Sequence, residues 1–233
     1  MLDVEALNPE MPLFGWHPDA ISWVQAIGIS SDDLIRLAAD LNVDGHPAAL
    51  LDWDPQTLKQ ISTSALRLSK LLGLTGPMMK KLAELEVSLF QLREKIGIDR
   101  KAPPGALPRV SALLLVQNRL LAPGKWVSDV LDRAACFDPI HATTRDSVFV
   151  TPSEIAAFRL DHIVIIGACD AWSSEAQTGE WQHLLVQKAI EIPTALLPDG
   201  IPIHTSTGPT NWLRSAPDVF HAVHEAAELI HLN

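Results

Sequence analysis

Apolar residues recur at intervals of three and four over the first hundred residues of the chain. This spacing is typical of amphipathic helices. It predicts helices at Asp19–Ile27, Asp32–Leu41, Ala48–Trp53, Asp54–Leu72 and Pro77–Ile96. Residues 1–98 are therefore predicted to be helical throughout.

The pattern changes after residues 102–108, where three prolines and a glycine interrupt the chain. The predicted helices beyond this segment are Arg109–Leu121, Lys125–Ala135, Pro152–Phe158, Ser173–Ile190 and Ala216–Ile230. The predicted strands are Ser147–Val150, His162–Ile166, Ile192–Leu197 and Ile201–His204. The apolar run in the second strand does not alternate, which is typical of a strand buried on both faces of a parallel sheet.

These elements predict an α+β protein overall, with a helical domain followed by a small α/β domain that contains a βαβ unit. The predicted boundaries are 1–101 for the helical domain, 102–108 for a Pro-rich linker, and 109–233 for the α/β domain with two leading helices.

Composition narrows the class of protein. Apolar residues make up 47% of the chain and charged residues 20%, as in folded soluble proteins. Two cysteines, Cys136 and Cys169, are too few for a disulfide framework and fit a reducing compartment. The first residues lack the pattern of a signal peptide, and the longest apolar run, Ile163–Cys169, is too short to cross a bilayer. The expected location is the cytoplasm, with no membrane partner.

Charge is segregated along the chain. Residues 1–55 have a net charge of −9, residues 56–109 of +6, and residues 110–233 of −7. A basic segment inside an acidic protein makes a local field that attracts anionic partners.

The basic segment contains a pattern typical of a helix–turn–helix. Leu68 and Leu72 lie four residues apart, Gly73 permits a turn, and Pro77 suits the first turn of a second helix. Met79 and Leu82 are expected to face the core, with lysines on the exposed face. Two ordinary amphipathic helices with solvated lysines remain the alternative.

Over about residues 56–96 the chain resembles the helix–turn–helix of Cro-like repressors and of antitoxins built on that module. The resemblance implies that Met78, Lys80 and Lys81 face nucleic acid, with Lys70 adding to the footprint. It predicts a non-enzymatic regulator that binds double-stranded DNA as a homodimer, and whose α/β domain binds a ligand or a protein partner.

Two alternatives come from the same residues. A small α/β enzyme or ligand binder would use the loop after the strand at 162–166, with Cys169 as nucleophile, His204 as base and Ser173 or Ser174 as oxyanion donor. A pure interaction protein would use the basic segment to dock an acidic partner.

The terminal helix offers a weak metal pattern. His224, Glu228 and His231 lie on one flank at spacings of four and three. Without a stronger zinc motif, a solvated flank is the better interpretation. The sequence predicts no metal site and no cofactor.

Overall fold

The structure is a computed structural model that describes residues 18–41, 53–97, 104–169, 196–206 and 212–232. In these residues seven α-helices cover a mixed five-stranded sheet. The helices are α1 Pro18–Gln25, α2 Ser31–Leu41, α3 Leu58–Leu71, α4 Thr75–Ile96, α5 Val127–Arg133, α6 Pro152–Ala157 and α7 Val219–Ala227. The strands are β1 Val110–Val116, β2 Arg119–Ala122, β3 Val148–Val150, β4 His162–Cys169 and β5 Ile203–Thr205. The α+β class predicted from the sequence is confirmed.

Side-chain caps fix where several helices begin. The Thr57 hydroxyl accepts a hydrogen bond from the backbone N–H of Gln60 at the start of α3. A capping box joins Thr151 and Glu154 at the start of α6. Hydrogen bonds from the Thr151 hydroxyl and backbone N–H lower the pKa of the Glu154 carboxyl, so this cap is formed with the ionised side chain.

The sheet has the strand order β3-β2-β1-β4-β5. Strands β1, β4 and β5 run parallel, while β2 pairs antiparallel with β1 and β3 antiparallel with β2. The buried parallel strand predicted at 162–166 is thereby confirmed.

The predicted helix Arg109–Leu121 is wrong, because this run forms the hairpin of β1 and β2. All seven residues of β1 are buried, so the run is apolar on both faces and carries no helical period. The turn residues Gln117 and Asn118 have φ angles of 47° and 61°, the left-handed pair that suits a two-residue hairpin.

Helices cover both faces of the sheet. Val110, Ala112 and Leu114 of β1 pack with α1, α3, α4, α5 and α7 in one large hydrophobic cluster. Leu113 and Leu115 point to the other face, where a smaller cluster includes residues of α6.

The predicted boundary at 102–108 carries a short 3₁₀ turn, Pro104–Ala106. The large cluster contains residues from both sides of this boundary, and the division into two domains stays a prediction. The predicted helix Ser173–Ile190 lies outside the described residues, as do the predicted helix Ala48–Trp53 up to residue 52 and the strand Ile192–Leu197 up to residue 195. Leu196 and Leu197, the described end of that strand, are not extended.

Across the described ranges, every helix falls short of the length and apolar character that a bilayer crossing needs.

Candidate functional site

Helix α1 attaches to the side of the molecule toward which the parallel strands run. The backbone N–H of Ser206, just after β5, donates to the Ile165 carbonyl of β4. The Glu225 carboxylate accepts from Ser206 Oγ at 2.8 Å and from Trp212 Nε1 at 2.9 Å, which holds the segment at 212–215 beside this end of the strand. Ligands of open α/β sheets bind beyond the carboxyl ends of the strands, so a ligand site is expected on this side.

A buried carboxylate ties α1 to that segment. Asp19 is only 3% exposed. Its Oδ1 accepts from Arg214 Nε at 2.8 Å, and its Oδ2 accepts from the backbone N–H and the hydroxyl of Ser215, each at 2.8 Å. Arg214 also donates to the Ser22 hydroxyl at 2.9 Å. Every acceptor oxygen of this carboxylate thus has a donor, as a buried charge requires.

Tryptophan N–H groups complete the same junction. Trp23 Nε1 donates to the Ser215 carbonyl at 2.9 Å, and Trp53 Nε1 donates to the Ser215 hydroxyl at 2.7 Å. Trp126 Nε1, just before α5, donates to the Trp212 carbonyl at 3.0 Å. Trp serves here because it fills a core with its ring while its N–H reaches a polar partner. We call the set Asp19, Trp23, Trp53, Trp126, Trp212, Arg214 and Ser215 the tryptophan junction.

A second set of contacts fixes the segment before α3 to the start of α5. Lys125 Nζ lies 2.6 Å from Asp54 Oδ1. Asp129 accepts from the Leu58 backbone N–H at 2.9 Å and pairs with Arg145 at 2.8 Å. The start of α3 is therefore held to the start of α5 by charged groups as well as by apolar packing.

A groove of about 480 Å³ opens between the end of α1 and the beginning of α4. It is lined by Ala26, Ile27, Gly76, Pro77, Lys80, Lys81 and Glu84. The α1 side of the groove begins three residues after Trp23 of the tryptophan junction, and the volume of the groove is in the range of small-molecule sites.

The groove favours an anion. Among the residues that the structure describes, neither Lys80 nor Lys81 forms an ion pair, although Glu84 lies in the same lining. The first turn of α4 also borders the groove, and its N-cap residue, Leu74, provides no side-chain acceptor. The partial positive charge of a helix N-terminus adds to that of the two ammonium groups.

The residues predicted to face nucleic acid do not share one surface. Met78 is fully buried, at 0% exposure, whereas Met79, which was expected to face the core, is 59% exposed. Lys80 is exposed, Lys81 is half-buried, and Lys70 is exposed on α3. Only Lys80 and Lys81 line the groove.

Two residues of the alternative enzyme site, His204 and Cys169, are not brought together. His204 pairs with Val164, five residues before Cys169 on β4, a separation of about 16 Å along the strand. Cys169 lies at the end of β4 beside Val116, and Ser173 lies outside the described residues. His204 instead lies with Nε2 3.0 Å from Nδ1 of His162.

The flank of the terminal helix also diverges. His224 Nε2 lies 2.9 Å from the Ser88 hydroxyl, whereas His231 Nε2 lies 2.9 Å from the Ala134 carbonyl. Burial lowers the pKa of both imidazoles. In the described part of the chain, no group of three or more potential ligands is arranged to hold a metal ion.

Cys136 lies close to His231 but is not activated by it. Its Sγ is 3.7 Å from Nε2 of His231, and the residue is 1% exposed. Burial, with a smaller contribution from Asp132, raises the pKa of the Cys136 thiol to about 12. This thiol is therefore protonated at neutral pH and inert.

No known protein family matches the chain, and no curated protein matches its sequence. Solved structures do match. A periplasmic heme binding protein from Pseudomonas aeruginosa is 15% identical over 92% of this chain and 90% of that chain, with a TM-score of 0.57. A periplasmic binding protein from Veillonella parvula is 14% identical over 80% of this chain, with a TM-score of 0.52. A possible iron-binding (periplasmic solute-binding) protein from Staphylococcus epidermidis is 11% identical over 76% of this chain, with a TM-score of 0.53.

The chain has the fold of these solute-binding proteins. It spans 61% of the Veillonella chain and 64% of the Staphylococcus chain.

This fold corrects the helix–turn–helix interpretation. The helices α3 and α4 pack into the core of a solute-binding fold, and the predicted resemblance to Cro-like repressors and antitoxins is wrong. The predictions of a DNA-binding regulator and of a double-stranded DNA partner are wrong for the same reason, and the expected homodimer loses its basis. The expected cytoplasmic location is also wrong, because the solved proteins of this fold are described as periplasmic.

Sequence reasoning did not find the tryptophan junction or the α1 side of the groove. One signal was available, since seven Trp and no Tyr is an unusual aromatic composition. Four of those tryptophans are buried donors of the junction.

Proposed function

We propose that this protein is the solute-binding component of an uptake system outside the cytoplasm, and that it binds an anionic, partly apolar small molecule in the groove between α1 and α4. The observation that carries the proposal is the similarity in fold to the Pseudomonas protein, which extends over 92% of this chain. That protein is named for heme binding, and the Staphylococcus protein is described as possibly iron-binding.

The groove supports a ligand of the heme class. Heme joins a large apolar ring to two carboxylates on one edge. Ala26, Ile27 and Pro77 supply apolar lining, while Lys80 and Lys81 supply two adjacent cationic groups. The apolar ring of a flat anionic molecule can therefore pack on the apolar lining while its carboxylates pair with the lysines.

The lining defines how such a ligand is held. Among the described lining residues there is no His, Cys, Met or Tyr to coordinate an iron atom. Recognition here rests on the carboxylates and the ring surface. Heme and other anionic iron complexes of similar size are thus the ligand class, with an ABC transporter as the recipient, since a further protein of this fold is described as an ABC transporter substrate-binding protein.

The test is thermal unfolding with and without hemin. Ligand at 100 times its Kd stabilises the native state by about 2.7 kcal/mol, which raises the Tm of a chain of this size by roughly 5–10 °C. The variant Lys80→Ser with Lys81→Ser removes two partly exposed charges and should weaken binding by about 5–30-fold, so the shift falls by several degrees.

The matched control is Lys59→Ser with Lys70→Ser, since both of these lysines are exposed on α3 and neither lines the groove. The control should keep the full shift. An equal fall of the Tm shift in both double variants would show that net charge, and not the groove, causes the effect. A wild-type protein with no Tm shift would exclude heme and similar complexes as ligands.

A further inference from the structure

Two imidazoles meet on the strands β4 and β5, and neither lines the groove. His162 is the first residue of β4, and His204 lies in the middle of β5, the edge strand. His204 is the register partner of Val164, so it shares a face of the sheet with the residue two positions earlier, His162. Their facing nitrogens, Nδ1 of His162 and Nε2 of His204, are 3.0 Å apart, and both side chains are partly accessible.

We propose that His162 and His204 form a two-nitrogen binding site for a divalent transition metal, with Cu²⁺ the best-fitting cation. Two nitrogens bound at about 2.0–2.1 Å to one metal lie about 2.8–3.0 Å apart at a right angle and about 3.3–3.4 Å apart at a tetrahedral angle. The observed 3.0 Å is close to the right-angle value. Right-angle pairs belong to tetragonal sites, which Cu²⁺ prefers, and imidazole affinity is highest for Cu²⁺ among the divalent first-row metals.

The protonation states agree with this role. Burial, together with the charge of His162, lowers the pKa of His204, so its imidazole is neutral at pH 7. Without metal, one of the two facing nitrogens carries the hydrogen that bridges them. On binding, that hydrogen is exchanged through water to the far nitrogen of the same ring, which leaves both facing lone pairs free to bind the metal. Water molecules fill the remaining positions.

The third histidine near this pair, His231, is not a ligand of the proposed site. His231 lies close enough that the charge of His162 lowers its pKa, but its Nε2 faces the Ala134 carbonyl. The metal would therefore be held by two protein ligands that join β4 to the edge strand, and not by a closed four-ligand cage.

The experiment is a Cu²⁺ titration of the intact protein, with glycine as a weak competing chelator and electron paramagnetic resonance as the readout. The expected result is one Cu²⁺ per chain, with hyperfine splitting from two nitrogens. His162→Gln and His204→Gln should each weaken binding by more than about tenfold. Even the loss of a residue that only hydrogen-bonds to a metal ligand lowers metal affinity by about 10–100-fold, and these two residues are proposed to bind the metal directly.

The matched control is His221→Gln, an exposed histidine on α7 near Asp218. It should leave the Cu²⁺ spectrum unchanged, and circular dichroism should show that all three variants are folded. Equal loss in the control, or full binding by His204→Gln, would overturn the proposal. Retention of the heme-dependent Tm shift in His204→Gln separates this site from the groove.

Discussion

Asp19 holds helix α1 to the segment after β5, and its replacement by alanine should destabilise the protein strongly. The substitution leaves the Ser215 N–H, the Ser215 hydroxyl and the Nε of Arg214 without the acceptor that each now has in Asp19. Removing one partner of a buried pair costs about 3–5 kcal/mol. The Arg214 side chain is 30% exposed, so water rehydrates part of it and the lower end, about 3 kcal/mol, is expected.

The assay is urea unfolding followed by tryptophan fluorescence, because Trp23 and Trp53 both donate to Ser215 and report on the junction directly. Asp132→Ala is the control, since this aspartate is exposed on α5 and should change stability by less than about 0.5 kcal/mol. A loss below about 1 kcal/mol for Asp19→Ala would refute the view that this carboxylate fastens α1 to the sheet layer.

Three further results are expected. Met78→Ala should cost about 2–5 kcal/mol because the side chain is fully buried, whereas Met78→Leu should cost less than about 1.5 kcal/mol; equal effects in urea unfolding would contradict this burial. In a Cys169→Ser variant, Cys136 should not react with a thiol reagent at pH 8, since its pKa is about 12; labelling of the folded protein at the rate of a free thiol would contradict that value. Burial lowers the pKa of His224, so the folded state binds fewer protons than the unfolded state, and the free energy of unfolding should fall as pH drops through the unfolded pKa of 6.5. His224→Gln should make this dependence on pH less steep. An unchanged dependence would exclude His224 as its source.

Local signals predicted much of the fold. The stop at Gly97, which has a φ of 71°, and the Thr151 capping box are encoded by neighbouring residues, so the ends of these helices can be predicted from short windows. The buried run at 162–166 likewise predicts a strand, because it is short, apolar and without alternation.

Local pattern did not predict the structure of residues 109–121, which form the hairpin of β1 and β2 and not a helix. Their run is long enough for a helix, and Leu is a good helix former. Burial on both faces erased the period that separates a strand from a helix, and a two-residue turn of Gln117 and Asn118 lacks the glycine that marks most such hairpins. Tertiary contacts decided the outcome here.

The candidate site depends on contacts that no local pattern encodes. Asp19 and Arg214 are 195 residues apart in sequence. On α4 the spacing indicates which residues share a face but not which face is covered. The structure turns Met78 inward, which leaves Lys80 and Lys81 on the groove. The basic segment supplies the two lysines on which the proposed anion-binding groove depends, whereas the double-stranded DNA partner predicted from it is wrong.

The most direct test of the proposed function is an absorbance titration of the wild-type protein with hemin at physiological salt. The account predicts saturable binding of one hemin per chain, with an affinity that weakens as salt is raised, because two lysines meet the carboxylates. Non-saturating uptake, or binding that salt leaves unchanged, would contradict an anionic ligand held in this groove.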